Sequence, residues 1–302
     1  TPGHEAFSAM RLRGSRIADI AVLVVAADEG VKPQTEEAIK IIQENELPFL
    51  VAINKIDKPN ADPNRVKKEL AEKSVLVEGY GGTAPVVEIS AKGGSGVESL
   101  LETILLLAEL EELKSNLEKP GRGVVIESHM DPRRGAAATL LVEDGTVSRG
   151  DFIVVGDQVA PVRIFENFLG KQIEKAEASE PIRITGFEKV PELGEEFAVF
   201  RSRAEAEGKK AAASAPKTAN ADSSTQAKTV MNIIVKTDVL GSKEAIENAL
   251  KIVSSSELGN RILKSEVGDI NESDVKLAAA SQNTFIVGFK VKIPAAIQEL
   301  AS

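Results

Sequence analysis

Cysteine is absent from all 302 residues. That removes disulfides and cysteine-ligated zinc, and it suits a reducing cytosol. Long apolar runs are missing as well. The longest candidates, Ile20 to Ala27 and Ile104 to Ala108, are bounded by charge and fall far short of the ~20 apolar residues that a membrane-spanning helix needs. Positive charge is in deficit, with 37 Lys and Arg against 46 Asp and Glu and a net charge of -9. A protein that gathers nucleic acid by long-range attraction needs the opposite balance, so any RNA contact is expected to be local and led by shape. No signal-like stretch precedes the first motif and Thr1 is no initiator residue, so the sequence reads as a fragment. What is present, 42% hydrophobic and 27% charged residues, describes a globular chain long enough for two or three domains.

The first third alternates short β-rich runs with segments of helical period: Ile20 to Ala27, Thr35 to Glu46, Phe49 to Asn54, Pro63 to Lys73, Val86 to Ile89 and Val97 to Leu113. This βαβαβα rhythm, with strands that are continuously apolar, predicts a parallel sheet covered by helices on both faces. From about Gly123 the pattern changes to strands with close turns, predicted at Gly123 to Glu127, Ala138 to Val142, Phe152 to Val155, Pro161 to Phe165, Pro181 to Gly186 and Glu196 to Phe200. A small antiparallel β-barrel is expected there. Between Arg203 and Lys228 no aliphatic residue larger than Ala occurs, so this stretch reads as a flexible linker, although its Ala and Glu bias before Gly208 permits a short helix. Beyond it, Thr229 to Lys236, Lys243 to Ser254, Arg261 to Val267, Glu272 to Ser281 and Thr284 to Val291 again spell βαβαβ. The expected division is 1–116, 117–202, 203–228 and 229–302, the last a small α/β domain that stops while it is still open to continuation.

Three short motifs carry chemistry. Asn54-Lys55-Ile56-Asp57 ends the strand from Phe49, at the carboxyl edge where open α/β sheets place their ligands. The Asp57 carboxylate can accept from guanine N1 and the exocyclic amine, a donor pair that adenine lacks. Asn54 can hold the loop and the Lys55 stem can pack on one face of the base. Ser90-Ala91-Lys92 follows the next strand, where the Ala91 amide could donate to guanine O6 and Lys92 could cover the opposite face. On its own that tripeptide is a commonplace turn; the pair of loops is what points to a purine. In Thr1-Pro2-Gly3-His4, Gly3 permits close approach of an amide to a terminal phosphate and His4 could orient an attacking water.

These blocks, together with Val24 to Val31, Pro33-Gln34-Thr35, Lys58-Pro59, Glu143 to Asp151, Asp238 to Ser242, Val267 to Ile270 and Glu272 to Val275, resemble bacterial-type translation initiation factor 2 over nearly the whole chain. The resemblance implies a GTPase of P-loop type with GTP or GDP as ligand and Mg2+ in the full-length protein. His4 would be its catalytic switch histidine, with Gly3, Asn54, Lys55, Asp57, Ser90, Ala91 and Lys92 at the nucleotide. It also implies work on the ribosome, delivery of initiator formylmethionyl-tRNA through a C-terminal module outside this chain, subunit joining, and a cytoplasmic or organellar-matrix setting.

The phosphate-cradling G-x-x-x-x-G-K-[ST] loop does not occur in these residues, so this polypeptide alone is expected to bind GTP poorly and the metal ligands to lie mostly elsewhere. Two alternatives stand beside the initiation reading. One is an elongation-type translational GTPase, which the α/β domain from Thr229 argues against. The other is a non-catalytic ribosome-docking fragment. The Arg133-Arg134 turn is read as a solvated tip, Lys209 and Lys210 as solubilising charge, and His129 as no metal ligand, since no cysteine or second histidine is near it in sequence.

Overall fold

The computed structural model describes residues 8–131, 133–213, 229–253 and 258–300. Gly3 and His4 lie outside them. The chain divides into two compact units, Thr1–Lys114 and Ser115–Ser302.

In the first unit, β1 (Ala21–Ala26), β2 (Phe49–Asn54) and β3 (Val86–Glu88) form a parallel sheet in that order, with Ala21 opposite Phe49 and Val51 opposite Val86. Four helices accompany it: α1 (Ser8–Ile17), α2 (Pro33–Glu44), α3 (Pro63–Glu72) and α4 (Val97–Leu110). Helix α3 begins as the sequence dictates, with Asp62 accepting the Arg65 amide at 3.0 Å and Pro63 in the first turn, where a missing N–H costs nothing. Leu23, Val25, Val51 and Ile53 pack with Ile39 and Ile42 of α2 and Val66 and Leu70 of α3. Each such side chain contributes ~1.5–3 kcal/mol on burial. Leu50 and Ala52, which the two-residue strand period turns to the other face, are also fully buried, so β2 reads as an unbroken apolar run. The outer strand departs from that pattern. Val22 and Val24 of β1 are exposed, as are Leu101, Leu105, Leu106 and Leu110 of α4, so the predicted two-sided cover is complete over β2 and one-sided over β1.

In the second unit the expected barrel is a curled antiparallel sheet of order β8-β7-β12-β4-β5-β11-β9. Its strands are β4 (Arg122–Asp131), β5 (Gly135–Asp144), β7 (Phe152–Val155), β8 (Gln158–Pro161), β9 (Phe165–Asn167), β11 (Pro181–Phe187) and β12 (Glu196–Phe200), while β6 (Thr146–Ser148) and β10 (Lys175–Glu177) pair separately. The run predicted as one strand from Pro161 to Phe165 is instead the end of β8, a turn through Arg163 and the start of β9. Gly123 is required by crowding: a Cβ there would lie 1.9 Å from the Leu141 carbonyl oxygen across the β4–β5 pair. Val125, Leu140, Ile153, Phe165, Ile182 and Ile184 form the heart of the core. Of the basic pair at the β4–β5 turn, Arg134 is tied to Glu166 at 2.6 Å.

Arg203–Ala213, in the stretch read as a linker, form α5, whose Ala206 is fully buried. Residues 214–228 are outside the described residues. After them β13 (Thr229–Thr237), α6 (Leu240–Val253), β14 (Leu258–Val267), α7 (Glu272–Ala280), β15 (Thr284–Phe289) and α8 (Ala295–Leu300) build a second parallel sheet of order β14-β13-β15. An isolated antiparallel bridge joins His129 of β4 to Val239, between β13 and α6. Among the described residues no helix is long and apolar enough to cross a membrane, and no group of three or more acidic or imidazole side chains converges on a metal-sized position.

Candidate functional site

The carboxyl ends of β2 and β3 are joined by hydrogen bonds between the two loops that follow them. Asn54, the last residue of β2, accepts on Oδ1 from the amide of Lys55 at 2.7 Å and from the amide of Ala91, in the loop after β3, at 3.0 Å. The Ser90 hydroxyl donates in the other direction, to Asp57 Oδ1 at 2.6 Å, and its own oxygen accepts from the Gly93 amide at 3.0 Å. The Ile56 amide completes the junction by donating to the Ile89 carbonyl. Ser90 is buried, Asp57, Ala91 and Lys92 are exposed, and Asn54 and Lys55 lie between. The result is a sheet edge whose two loops are hydrogen bonded to one another, with Asp57, Ala91 and Lys92 exposed to solvent.

Two backbone features set this shape. Lys55 has φ 66°, a left-handed conformation that few side-chain-bearing residues adopt, and it turns the chain sharply off the strand. Gly96, with φ 73°, lets the loop close behind Ser90: a Cβ there would stand 2.2 Å from the Glu88 carbonyl oxygen.

The electrostatics follow from the contacts. The Ser90 hydroxyl holds Asp57 below the usual carboxylate range, so Asp57 is an acceptor throughout neutral pH. Lys55 does not reach toward Asp57. Its ammonium lies 2.7 Å from Glu29 Oε1 and 3.7 Å from Asp28 Oδ1, and the Glu29 hydrogen bond raises it above the ordinary lysine value. Lys58 binds Asp28 Oδ2. Asp28, Glu29 and Lys58 lie in blocks that carry the family resemblance, but sequence reading gave none of them a role in the site.

One placement differs from the sequence-based expectation. The Ala91 amide, assigned there to a purine oxygen, here donates to Asn54, so a bound base would share or replace a contact that already braces the loop. Asn54→Ala removes the acceptor for both amides. Two hydrogen bonds of ~0.5–1.5 kcal/mol each then disappear. Hydrogen exchange at Ala91 should accelerate by about an order of magnitude or more, and unchanged protection at that amide would mean the bond does not hold the loop.

Three family models match successive parts of the chain. The elongation factor Tu GTP binding domain matches residues 1–109, elongation factor G domain 2 matches 120–200, and translation-initiation factor 2 matches 205–302. Translation initiation factor IF-2 of Rubrobacter xylanophilus is 45% identical over 97% of this chain and 44% of its own length. That of Listeria monocytogenes is 44% identical over 100% of this chain and 40% of its own. Among solved structures, GDP-bound aIF5B from Aeropyrum pernix matches with TM-score 0.57 and 27% identity over 100% of this chain and 58% of that one. A bacterial selenocysteine-specific elongation factor, EF-Sec, matches with TM-score 0.53 and 27% identity over 66% of this chain and 34% of that one. The fold and these matches place the chain in the translational GTPase fold class. Within that class the chain belongs to the translation initiation factor 2 family, and it spans less than half the length of the curated relatives it matches.

Proposed function

We propose that the full-length protein is a GTP-hydrolysing translation initiation factor, and that this chain supplies the guanine-selecting half of its nucleotide site together with two further domains. The observation that carries the reading is the double cross-link, Asn54 to Ala91 and Ser90 to Asp57, which brings an ionised carboxylate and a braced backbone loop to one sheet edge. A carboxylate there selects a base with adjacent N–H donors, and guanine presents them. Lys55 and Lys92 are assigned to the two faces of the base. Gly3 is assigned to the terminal phosphate, and His4 to the water that attacks it.

Magnesium would neutralise phosphate charge when bound, and no group of three or more candidate ligands for it converges among the described residues. The remaining assignments extend the same reading: a cytoplasmic factor that acts on the ribosome and places initiator formylmethionyl-tRNA through a module beyond this chain. The elongation-type alternative is disfavoured because the selenocysteine factor matches 66% of the chain, whereas aIF5B matches all of it.

The test is GTP turnover by the full-length protein with and without ribosomes. Strong stimulation is expected, and a protein that turns over no GTP on ribosomes removes the enzyme reading. His4→Ala should slow hydrolysis by an order of magnitude or more while nucleotide affinity changes little; equal losses in both would give His4 a structural role.

A further inference from the structure

The carboxylate that would recognise guanine sits among lysines. Lys55 and Lys58 flank Asp57 in sequence, and Lys92 is in the facing loop. Any of these ammonium groups, if it settled on the outward oxygen of Asp57, would occupy the acceptor that the base needs. Yet among the described residues no ion pair engages Asp57, whose Oδ1 accepts only a neutral hydroxyl, from Ser90.

Lys55 and Lys58 are held elsewhere by two acids in the turn that follows β1. Asp28 and Glu29 lie in the tight turn after β1, closed by the Glu29 and Gly30 amides donating to the Ala26 carbonyl. The turn is anchored on three sides. The Ala27 amide donates to the Asn54 carbonyl at 2.7 Å, Arg65 Nη2 donates to the Asp28 carbonyl at 3.0 Å, and Glu69 accepts the Val31 amide at 2.7 Å. Asp28 Oδ2 takes the Lys58 ammonium and Glu29 Oε1 takes that of Lys55. The Asp28 side chain is only 6% exposed, so this is not a freely solvated surface pair of negligible weight. Its other oxygen, Oδ1, is buried with Lys55 Nζ at 3.7 Å.

We propose that Asp28 and Glu29 are positioning residues for guanine selection: they draw Lys58 and Lys55 off Asp57, leaving its carboxylate open to the base and fixing the Lys55 stem as one wall of the site. This rests on the reading of the two loops as a guanine site. The acids never touch the nucleotide; they act by removing an internal competitor for it.

The experiment compares GDP with IDP, which lacks the exocyclic amine, in displacement titrations on the full-length protein. Wild type should prefer GDP. Asp28→Asn frees Lys58, so GDP should weaken by about tenfold, as expected for competition with a charged hydrogen bond, while IDP weakens less and the preference shrinks. Glu29→Gln, at a half-exposed position, should act in the same direction through Lys55. Adding Lys58→Ala to Asp28→Asn should restore the GDP preference, a rescue that a merely structural role for Asp28 would not produce. An unchanged GDP-to-IDP ratio in both single variants, or no rescue by Lys58→Ala, overturns the inference while the guanine site stands. A wild-type protein indifferent to the exocyclic amine overturns both.

Discussion

Asp57→Asn should invert base preference, with guanine nucleotides losing roughly 10²–10⁴ in affinity and xanthine nucleotides gaining, because a site built to satisfy a donor pair is left with buried groups unpaired when the match is broken. The Asp57 carboxylate has acceptors only, and Ser90 already supplies one donor to Oδ1 at 2.6 Å. A side-chain amide in its place must choose. If its oxygen stays on Ser90, its NH2 faces the guanine donors and two donors oppose one another. Xanthine, with a carbonyl where guanine carries its amine, accepts from that NH2 and restores the pair. Displacement titrations of the full-length protein with GDP and XDP measure both changes at once, and an unaltered GDP affinity would separate Asp57 from base recognition altogether. The pH dependence has a definite sign. Since the Ser90 hydroxyl depresses Asp57, the carboxylate is already ionised well below neutrality, so GDP affinity should be flat from pH 5 to 8 as far as this residue is concerned.

Elements that carry their own local signal were legible in the sequence. The strand predicted at Phe49 to Asn54 has those bounds, as do Phe152–Val155 and Glu196–Phe200, because each is an apolar block closed by a turn residue or a charge. Helix α3 was legible from Asp62 and Pro63. What escaped notice lacks such a signal. Five of the ten residues of helix α1 are charged or hydroxyl-bearing and none is buried, so no periodicity marks it. Strands β6 and β10 are three residues long and exist only because they pair with each other. Helix α5 was legible only as a short helix that the Ala and Glu bias before Gly208 permits, and the burial of Ala206 is a tertiary contact that composition does not encode. The site divides in the same way. Asn54, Asp57 and Ser90 follow from motif and strand position, whereas the Asp28 to Lys58 pair joins residues 30 positions apart and is visible only once β1 and β2 lie side by side.

That division makes the C-terminal parallel sheet the strictest case, since its most consequential feature is invisible in the sequence. Lys236 of β13, Lys264 and Glu266 of β14 and Asp274 of α7 close a ring of ion pairs: Lys236 to Glu266 at 3.0 Å and to Asp274 at 3.3 Å, Lys264 to Asp274 at 2.7 Å and to Glu266 at 2.9 Å. Asp274 is fully buried and Lys236 nearly so, and Asp274 also accepts the Asn271 amide that starts α7. Burial alone would discourage ionisation of Asp274, but Lys264, the Asn271 amide and Lys236 together outweigh it and hold the group below the ordinary carboxylate range. Asp274→Asn leaves two ammonium groups facing a neutral amide in a buried setting, and the loss of one partner of such a cluster costs ~3–5 kcal/mol. The effect should show as faster amide exchange throughout β13 and β14, with the paired loops at Asn54 and Ser90 unaffected. Because the folded value is depressed, the stabilisation is present above the unfolded value of about 3.9 and fades as pH falls through the folded one, so this sheet should loosen only in acid below about pH 4. Replacing Lys236, Lys264, Glu266 and Asp274 together by apolar residues of similar size should cost far less than Asp274→Asn alone, because the penalty comes from stranding a buried charge rather than from losing attraction. Equal destabilisation by the single and the fourfold variant would show that the ring itself, and not its completeness, holds α7 on the sheet.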